Sequence, residues 1–316
     1  MNRKSQIGIL LKGGLGNQLF QLSAGLYCSK GEPIGVFNNF TQPRQTDGLA
    51  DALYFAWPPE VFVNNSRSNR AERKVLAISL RVALIEKRLV RVIGLFKPLG
   101  LLVNTVLSIT FKKRTHVYSG DGVGFCEVNL KPGLNLLNGY FQGHQFPYHP
   151  IVQAQMKEIR LKQISPRLNQ WIEKIKKENP IIVHLRLGDY KNESGIGLLP
   201  PCYYEEALQI MESSVLSKNI WIFTDEAESV SEFVSPSPNF RVSIIGEIGL
   251  NSAETLELMR YGSGYVIANS TFSWWAAFLS YQSGCTTIMP APWFQKKSSP
   301  IGIKPHDWTE IEFLKH

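Results

Sequence analysis

Several features that mark other protein classes are scarce or missing in this chain of 316 residues. It has four scattered cysteines, at positions 28, 126, 202 and 285, with no C-x-x-C pair among them. This pattern suits free thiols in a reducing compartment better than a disulfide framework. No apolar run reaches the roughly 18 residues of a spanning helix. The apolar stretch at 7–11 is too short for a secretory signal, so we expect a cytoplasmic protein.

Positive charge is the one strong bias of the composition. The net charge is +8, and residues 67–114 alone hold twelve Lys or Arg against two acids. Within them, residues 75–95 alternate aliphatic and basic positions, which is typical of a basic amphipathic helix. Such a helix could contact an anionic membrane, or it could pack on its own domain with its basic face in solvent. No nucleic-acid-binding motif accompanies the charge, so we predict no nucleic-acid partner.

Strand and helix patterns alternate along the second half. Continuously apolar strands separated by helices predict a parallel sheet with both faces covered, and therefore an α/β fold. The first half begins in the same way, and we place a domain boundary near residue 150, giving domains 1–150 and 151–316. The predicted strands are 7–11, 138–142, 180–185, 219–223, 240–245, 265–268 and 286–289, and the predicted helices are 17–29, 201–213, 226–233, 252–261 and 272–281.

Polar side chains follow two of the predicted strands. His184 and Arg186 share one face, because alternate residues of a strand point the same way. A guanidinium at the carboxyl end of a strand can hold a phosphate with two hydrogen bonds. The alternative for Arg186 is a structural bridge to Asp189. Asp225 follows the next strand, where an acid can also cap a helix. Ligands of parallel sheets bind at these strand ends.

The segment 267–278 has the pattern of a strand, a turn and an aromatic helix. Asn269, Ser270 and Thr271 occupy the turn, where the first N–H groups of a helix point outward. This corner predicts a phosphate site, with hydroxyls that cap the helix or donate to the ligand. The alternative is an ordinary N-cap followed by core aromatic residues.

A glycine-rich turn, residues 13–16, separates the first strand from the first helix. A dinucleotide fingerprint would need a third glycine where Leu19 stands, and a P-loop would need a Gly-Lys-Ser/Thr that is missing. The turn is instead a place where a ligand or the other domain can approach the backbone closely. Asn17 adds a side-chain donor and acceptor there.

Seven segments along almost the whole chain share their order and rough spacing with one known family: 13–21, 140–142, 184–190, 197–204, 222–226, 267–278 and 290–294. Together they resemble the α-1,2-fucosyltransferases, with a poor match at 38–135, and the segments 140–142 and 290–294 match the bacterial branch. The resemblance implies a GT-B architecture, in which two Rossmann-like domains face each other across a cleft. The carboxyl-terminal domain would bind GDP-fucose, and the amino-terminal domain would face the acceptor sugar.

The resemblance also implies inversion at the anomeric centre and no metal. The sequence has no Asp-x-Asp, His-x-x-x-His or Cys/His cluster, whereas a metal-dependent site would usually carry paired acids for Mg²⁺ or Mn²⁺. Phosphate would then be neutralised by arginine and helix N-termini. We therefore predict no cofactor.

By position, the resemblance assigns the catalytic roles to Arg186, at the donor diphosphate, and to Asn17, at the donor phosphate or the transferred sugar. Fixed donors there would stabilise the charge that grows on GDP as fucose leaves. A carboxylate of the first domain could take the acceptor's proton, and Asp47 and Asp51 are the candidates. The predicted donor site comprises His184, Arg186, Asp225, Asn269, Ser270, Thr271, Phe272, Gly14 and Gly16.

Two positions depart from the family's pattern. Leu187 stands where a second arginine is usual, and strand alternation points it away from the face of Arg186, so we expect catalysis to survive. Thr255 stands where the family has an aspartate, whose carboxylate would accept guanine's N–H protons. Glu254 or Glu257 could substitute for it. The alternative is a donor whose base, or whose base and sugar, differs from that of GDP-fucose.

We predict a cytoplasmic glycosyltransferase that moves L-fucose from GDP-fucose to a galactose-containing acceptor in α-1,2 linkage. The acceptor would be a lipid-linked surface glycan such as an O-antigen, with residues 67–114 meeting the inner face of the membrane. Three alternatives stay open: a transferase that uses another nucleotide-deoxysugar, a catalytically silent glycan-binding relative, and a basic module that associates with membrane or RNA.

Overall fold

The computed structural model describes residues 5–30, 32–37, 51–57, 59, 61–63, 98–110, 114–119, 123–191, 193 and 195–314. The predicted basic helix over 75–95 and Asp47 lie outside these residues. Among the helices in the described ranges, none is long and apolar enough to cross a membrane. All four cysteines are free, as predicted.

The first half is built on a parallel sheet. Its central strand, β1 (Ser5–Leu10), pairs with β2 (Ile34–Phe37) on one side and with β6 (Gly133–Asn138) on the other. The spatial order in the described part is β4-β2-β1-β6-β5. A further short strand, β3 (Phe55–Ala56), pairs antiparallel with β7 (Arg160–Leu161). The sheet strands are β1 (Ser5–Leu10), β2 (Ile34–Phe37), β4 (Val61–Val63), β5 (Thr115–Ser119) and β6 (Gly133–Asn138), with helices α1 (Leu15–Ser29) and α2 (Pro98–Thr110).

The second half carries a parallel sheet of six strands in the order β10-β9-β8-β11-β12-β13. This is the doubly wound order, in which the first strand lies beside the fourth. The strands are β8 (Ile181–Leu185), β9 (Asn219–Thr224), β10 (Arg241–Ile245), β11 (Gly264–Val266), β12 (Thr287–Ala291) and β13 (Thr309–Glu312). The helices are α3 (Pro150–Lys157), α4 (Pro166–Glu178), α5 (Pro201–Ser214), α6 (Val230–Phe233), α7 (Ser252–Met259) and α8 (Thr271–Phe278).

In the first sheet the chain runs outward from β1 through β2 to β4 and returns on the other side of β1 as β5 and β6. In the second sheet the strand order reverses once, between β8 and β11. Chain segments leave such a point in opposite directions, so a crevice opens at the carboxyl ends of the strands. The predicted α/β architecture of two Rossmann-like units is confirmed. The domain boundary near residue 150 stays a prediction.

The two halves meet where α1 packs against α8. The ring of Phe20 lies 4.6 Å from Trp274 and 5.1 Å from Trp275, centroid to centroid, and all three side chains are fully buried. Burial of each such side chain is worth about 1.5–3 kcal/mol. At the start of α1 the backbones nearly touch, because a Cβ on Gly16 would lie 2.4 Å from the carbonyl carbon of Thr271. The predicted close approach at the glycine turn is therefore to the other half of the chain.

Two elements differ from their predictions. Residues 138–142 were predicted as a strand, but β6 ends at Asn138 and the next residues form a turn. Phe141 has a left-handed backbone, with φ 53°, which a strand does not allow. The predicted helix over 226–233 is a 3-10 turn, Ala227–Ser229, followed by the four residues of α6.

Candidate active site

A cavity of about 1040 Å³ lies at the carboxyl ends of both sheets. Its lining combines the turn after β1 and the segment after β6 with residues that follow β8, β9 and the strand leading into α8. The crevices of the two sheets thus open into one space. The volume is at the upper end of the roughly 300–1,000 Å³ usual for small-molecule sites. The predicted cleft between two facing units is this cavity.

The cavity brings together all but one of the predicted site residues. Asn269 does not line it. Its side-chain nitrogen donates to the carbonyl of Gly197 at 3.0 Å, and its backbone carbonyl accepts from the Tyr190 hydroxyl at 3.3 Å. Asn269 therefore holds the turn before α8 in place without facing the cavity. Those in the lining are Gly14, Gly16, Asn17, His184, Arg186, Asp225, Ser270, Thr271 and Phe272.

Arg186 is oriented by the carboxylate of Asp225. Its Nη1 lies 2.8 Å from Asp225 Oδ2, while Oδ1 accepts from the backbone N–H of Leu187 at 3.0 Å. The side chains are 27% and 25% exposed, so the ion pair is reachable from the cavity. The side chain of Asp189, the alternative partner, lies outside the described part. Leu187 is 1% exposed and packs in the core away from the cavity, as strand alternation predicts.

His184 is an uncharged residue in the lining of the cavity. Burial, together with the positive charge of Arg186, lowers the pKa of His184 to about 3 against the opposing effect of Asp225. Its Nδ1 is buried with no hydrogen-bond partner in the described ranges, and its ring lies 6.0 Å from that of Phe272. The imidazole therefore adds no charge to the site.

Two helices begin at the cavity, one from each half. The N-cap of α1 is Gly14, which offers no side chain to cover the first N–H groups. The N-cap of α8 is Ser270, whose Oγ accepts from the N–H of Phe272 at 3.3 Å. Helix N-termini carry partial positive charge and attract anions. The interpretation of the segment 267–278 as an N-cap followed by core aromatic residues is confirmed, since Trp274 and Trp275 fill the core behind the turn. The phosphate site at the same corner stays a prediction.

Asn17 joins the two halves directly. Its Oδ1 accepts from Gln142 Nε2 at 2.7 Å and from the Thr271 hydroxyl at 3.3 Å. With its oxygen used in this way, its Nδ2 is the group left to donate to a ligand. The contact with Thr271 therefore crosses the cleft, while the predicted role of Asn17 at the donor phosphate or the transferred sugar stays a prediction.

Thr255 lies in the cavity wall, and neither neighbouring acid takes the place of the missing carboxylate. The Glu254 side chain accepts from the backbone N–H of Asn251 in a capping box. The Glu257 carboxylate is buried and pairs with Arg260 at 2.8 Å. Both carboxylates thus have other partners in this structure, and the identity of the donor's base stays a prediction.

Several lining residues were not selected from the sequence as site residues. Gln142 belongs to a segment that carried the family resemblance, so the sequence held a signal for it. No sequence signal marks Arg167 or Lys297, which are isolated basic residues. Arg167 Nη1 donates to the Ile248 carbonyl at 3.4 Å. Asp51 and Thr255, which the sequence had already singled out, also line the cavity, and the further lining residues include Tyr140, Arg167, Tyr190, Glu193, Glu247, Ser252, Phe294 and Lys297.

The described ranges do not bring potential metal ligands together. No three His, Cys, Asp or Glu side chains come together there as a group that could hold an ion. Metal independence, which the resemblance implies, stays a prediction.

Comparison with known proteins then identifies the family. The model of glycosyl transferase family 11 matches residues 135–312, more than half of the chain. The chain belongs to glycosyl transferase family 11. The matched span contains every predicted site residue except Gly14, Gly16 and Asn17, and the family resemblance found in the sequence is confirmed.

Curated relatives of this family 11 glycosyltransferase cover nearly its full length. It is 24% identical to the O-antigen biosynthesis glycosyltransferase WbnK of Escherichia coli over 90% of this chain and 93% of the relative. It is 25% identical to an alpha-1,2-colitosyltransferase of Escherichia coli over 96% and 97%. A more distant likeness is to the fucosyltransferase NodZ from Bradyrhizobium, with a TM-score of 0.47 and 13% identity over 86% and 92% of the two chains.

Proposed function

We propose that this glycosyltransferase moves L-fucose from GDP-fucose to a galactose-type residue, in α-1,2 linkage and with inversion, during O-antigen synthesis. The observation that carries the proposal is the cavity between the sheets, where Arg186 and the starts of α1 and α8 face one space. The O-antigen role of one curated relative and the α-1,2 linkage named for another support the setting and the linkage. The cytoplasmic location and the contact of residues 67–114 with an anionic membrane belong to the same proposal.

The chemistry of the site suits a departing diphosphate. As the bond from the sugar to the phosphate breaks, negative charge grows on the leaving group. Arg186 is already fixed by Asp225 and donates to that charge without reorganising. The first N–H groups of α8 and Asn17 Nδ2 add neutral donors from the two sides of the cleft. His184 stays uncharged beside them, so we assign no proton transfer to it.

The first test is turnover by the purified protein. With GDP-fucose and a lactose-type acceptor, the wild type should form a product of the mass of a fucosylated acceptor. Arg186→Ala should lower kcat by about 10²–10³-fold, the usual loss for one transition-state donor. Arg241→Ala, at an exposed position of β10, is the matched control and should keep wild-type turnover. Equal turnover by both variants would contradict the role of Arg186.

A different donor is the second candidate, and Thr255 is the observation that favours it. With Glu254 and Glu257 both engaged, α7 offers no carboxylate to guanine at this point. The colitosyltransferase among the curated relatives makes a nucleotide-linked colitose the first alternative donor to try. Titration with GDP, UDP and dTDP separates the bases, and tighter binding of a non-guanine diphosphate would end the GDP proposal. A wild type that neither hydrolyses nor transfers from any donor would favour the glycan-binding alternative.

A further inference from the structure

A buried carboxylate and a buried amide line the cavity on the side of the first sheet. Asp51 is 5% exposed and Gln142 is 6% exposed, and both belong to the same lining as Asn17. We propose that Asp51 is the base that takes the proton of the acceptor hydroxyl, and that Gln142 Oε1 accepts a hydrogen bond from the acceptor sugar. This inference rests on the proposed transfer reaction, for which it names the proton acceptor.

Asp51 is held beside the glycine turn by a neighbour of Asn17. Gln18 is buried, and its Nε2 donates to the Gly13 carbonyl at 2.9 Å while its Oε1 accepts from the backbone N–H of Ala52, also at 2.9 Å. One side chain thus fixes the 3-10 turn Asp51–Tyr54 to the start of α1. The carboxylate of Asp51 is therefore positioned by the same helix that presents Asn17.

Other carboxylates in the lining suit the role less well. Asp225 already pairs with Arg186 and the backbone of Leu187, and neutralising it would release that guanidinium. Glu193 and Glu247 are exposed, so water competes for their oxygens and their long side chains are not fixed. A base must stay within hydrogen-bond reach of the proton that it removes. Among the lining acids in the described part, Asp51 is the one that is buried and lies on the first sheet's side.

Gln142 supplies an independent sign of a ligand on the same side. Its Nε2 is used by Asn17, but its Oε1 is buried with no hydrogen-bond partner among the described residues. A buried acceptor left without a donor costs roughly 1–3 kcal/mol. A sugar hydroxyl in the cavity would remove this cost. The acceptor and its proton-accepting group would then both belong to the first half of the chain.

The reaction step balances with these groups alone. The acceptor oxygen forms a bond to the anomeric carbon while the bond from that carbon to the phosphate oxygen breaks. The proton of the acceptor hydroxyl passes to Asp51, and the electron pair of the broken bond leaves with the nucleoside diphosphate beside Arg186. General-base catalysis of this kind is worth about 10²–10⁴ in rate.

The test uses Asp51→Asn in the full chain, with Asp307→Asn as the matched control at an exposed position outside the cavity lining. Asp51→Asn should lower kcat for transfer by about 10²–10⁴-fold, with GDP affinity within twofold of the wild type. Unchanged GDP affinity also shows that the variant is folded. The acid limb in the pH profile of kcat/KM should disappear in Asp51→Asn and persist in Asp307→Asn.

Azide provides a second measurement in the same variant, because it is an anion that needs no deprotonation. It should restore donor turnover in Asp51→Asn and yield the glycosyl azide. If Asp51→Asn transfers to the sugar acceptor at a rate close to wild type, or if azide has no effect, Asp51 is not the base. A wild type that transfers from no donor overturns the proposed function itself, and the assignment of Asp51 with it.

Discussion

At the scale of single residues, the site depends on side chains that are fixed before a ligand arrives. Asp225 holds Arg186 at 2.8 Å, and Asn17 is held by Gln142 and Thr271. Leu187 stands where the family usually has a second arginine. Its side chain points into the core and not into the cavity. The missing second arginine therefore removes no group from the described lining.

Restoring that arginine should harm the protein. Leu187→Arg would place a charge in an apolar core, so we expect the free energy of unfolding to fall by about 3 kcal/mol or more. Urea unfolding followed by tryptophan fluorescence measures the change. Leu314→Arg, at an exposed position near the C-terminus, is the control and should unfold like the wild type. A stable Leu187→Arg variant with raised turnover would show that the position faces the donor.

The buried His184 predicts how stability depends on pH. Its pKa in the folded protein, about 3, lies below the unfolded value of about 6.5. Between these values the unfolded chain binds the additional proton, so stability is present above pH 6.5 and is lost as the pH falls. Between pH 7 and pH 5, protonation of this residue in the unfolded chain should lower the free energy of unfolding by about 2 kcal/mol. Urea unfolding at both pH values should show that loss in the wild type and in His306→Asn but not in His184→Asn, and equal losses in all three would contradict it.

At the scale of elements, the sequence predicted best where a strand is buried on both faces. The strands β8 and β9 each contain a continuous apolar run, residues 181–183 and 220–223, so their assignment as buried strands had little ambiguity. Helix α4 was not predicted, although Leu168, Ile172 and Ile175 recur at helical spacing and form its buried face. The turn after β6 was missed because the left-handed backbone of Phe141 depends on tertiary contacts that sequence periodicity does not record.

The close contact of α1 with α8 is also a prediction about elements. Gly16→Ala would place a methyl group 2.4 Å from the Thr271 carbonyl carbon, so the two helices must separate. We expect a lower melting temperature and weaker binding of GDP, because both helix N-termini move. Gly14→Ala, whose Cβ would meet no atom within 4 Å, should keep the wild-type melting temperature. Equal melting temperatures for the two variants would contradict the contact.

At the scale of the whole molecule, the site forms only when the two sheets face each other. Asn17 lies 125 positions from Gln142 and 254 positions from Thr271, yet one oxygen contacts both. The residue types at the strand ends could be predicted from the sequence, because they follow recognisable strands. Their partners across the cleft could not, because that pairing depends on how the two sheets are placed.

Calorimetric titration in the presence of EDTA tests most directly the claim that this cleft binds a nucleoside diphosphate through Arg186 without a metal. The wild type should bind GDP at least about tenfold more tightly than guanosine, and Arg186→Ala should lose about that factor, since a hydrogen bond to a charged group is worth roughly 1.5–3 kcal/mol. Equal affinity for GDP and guanosine, GDP binding that requires a divalent ion, or wild-type affinity in Arg186→Ala would contradict the claim.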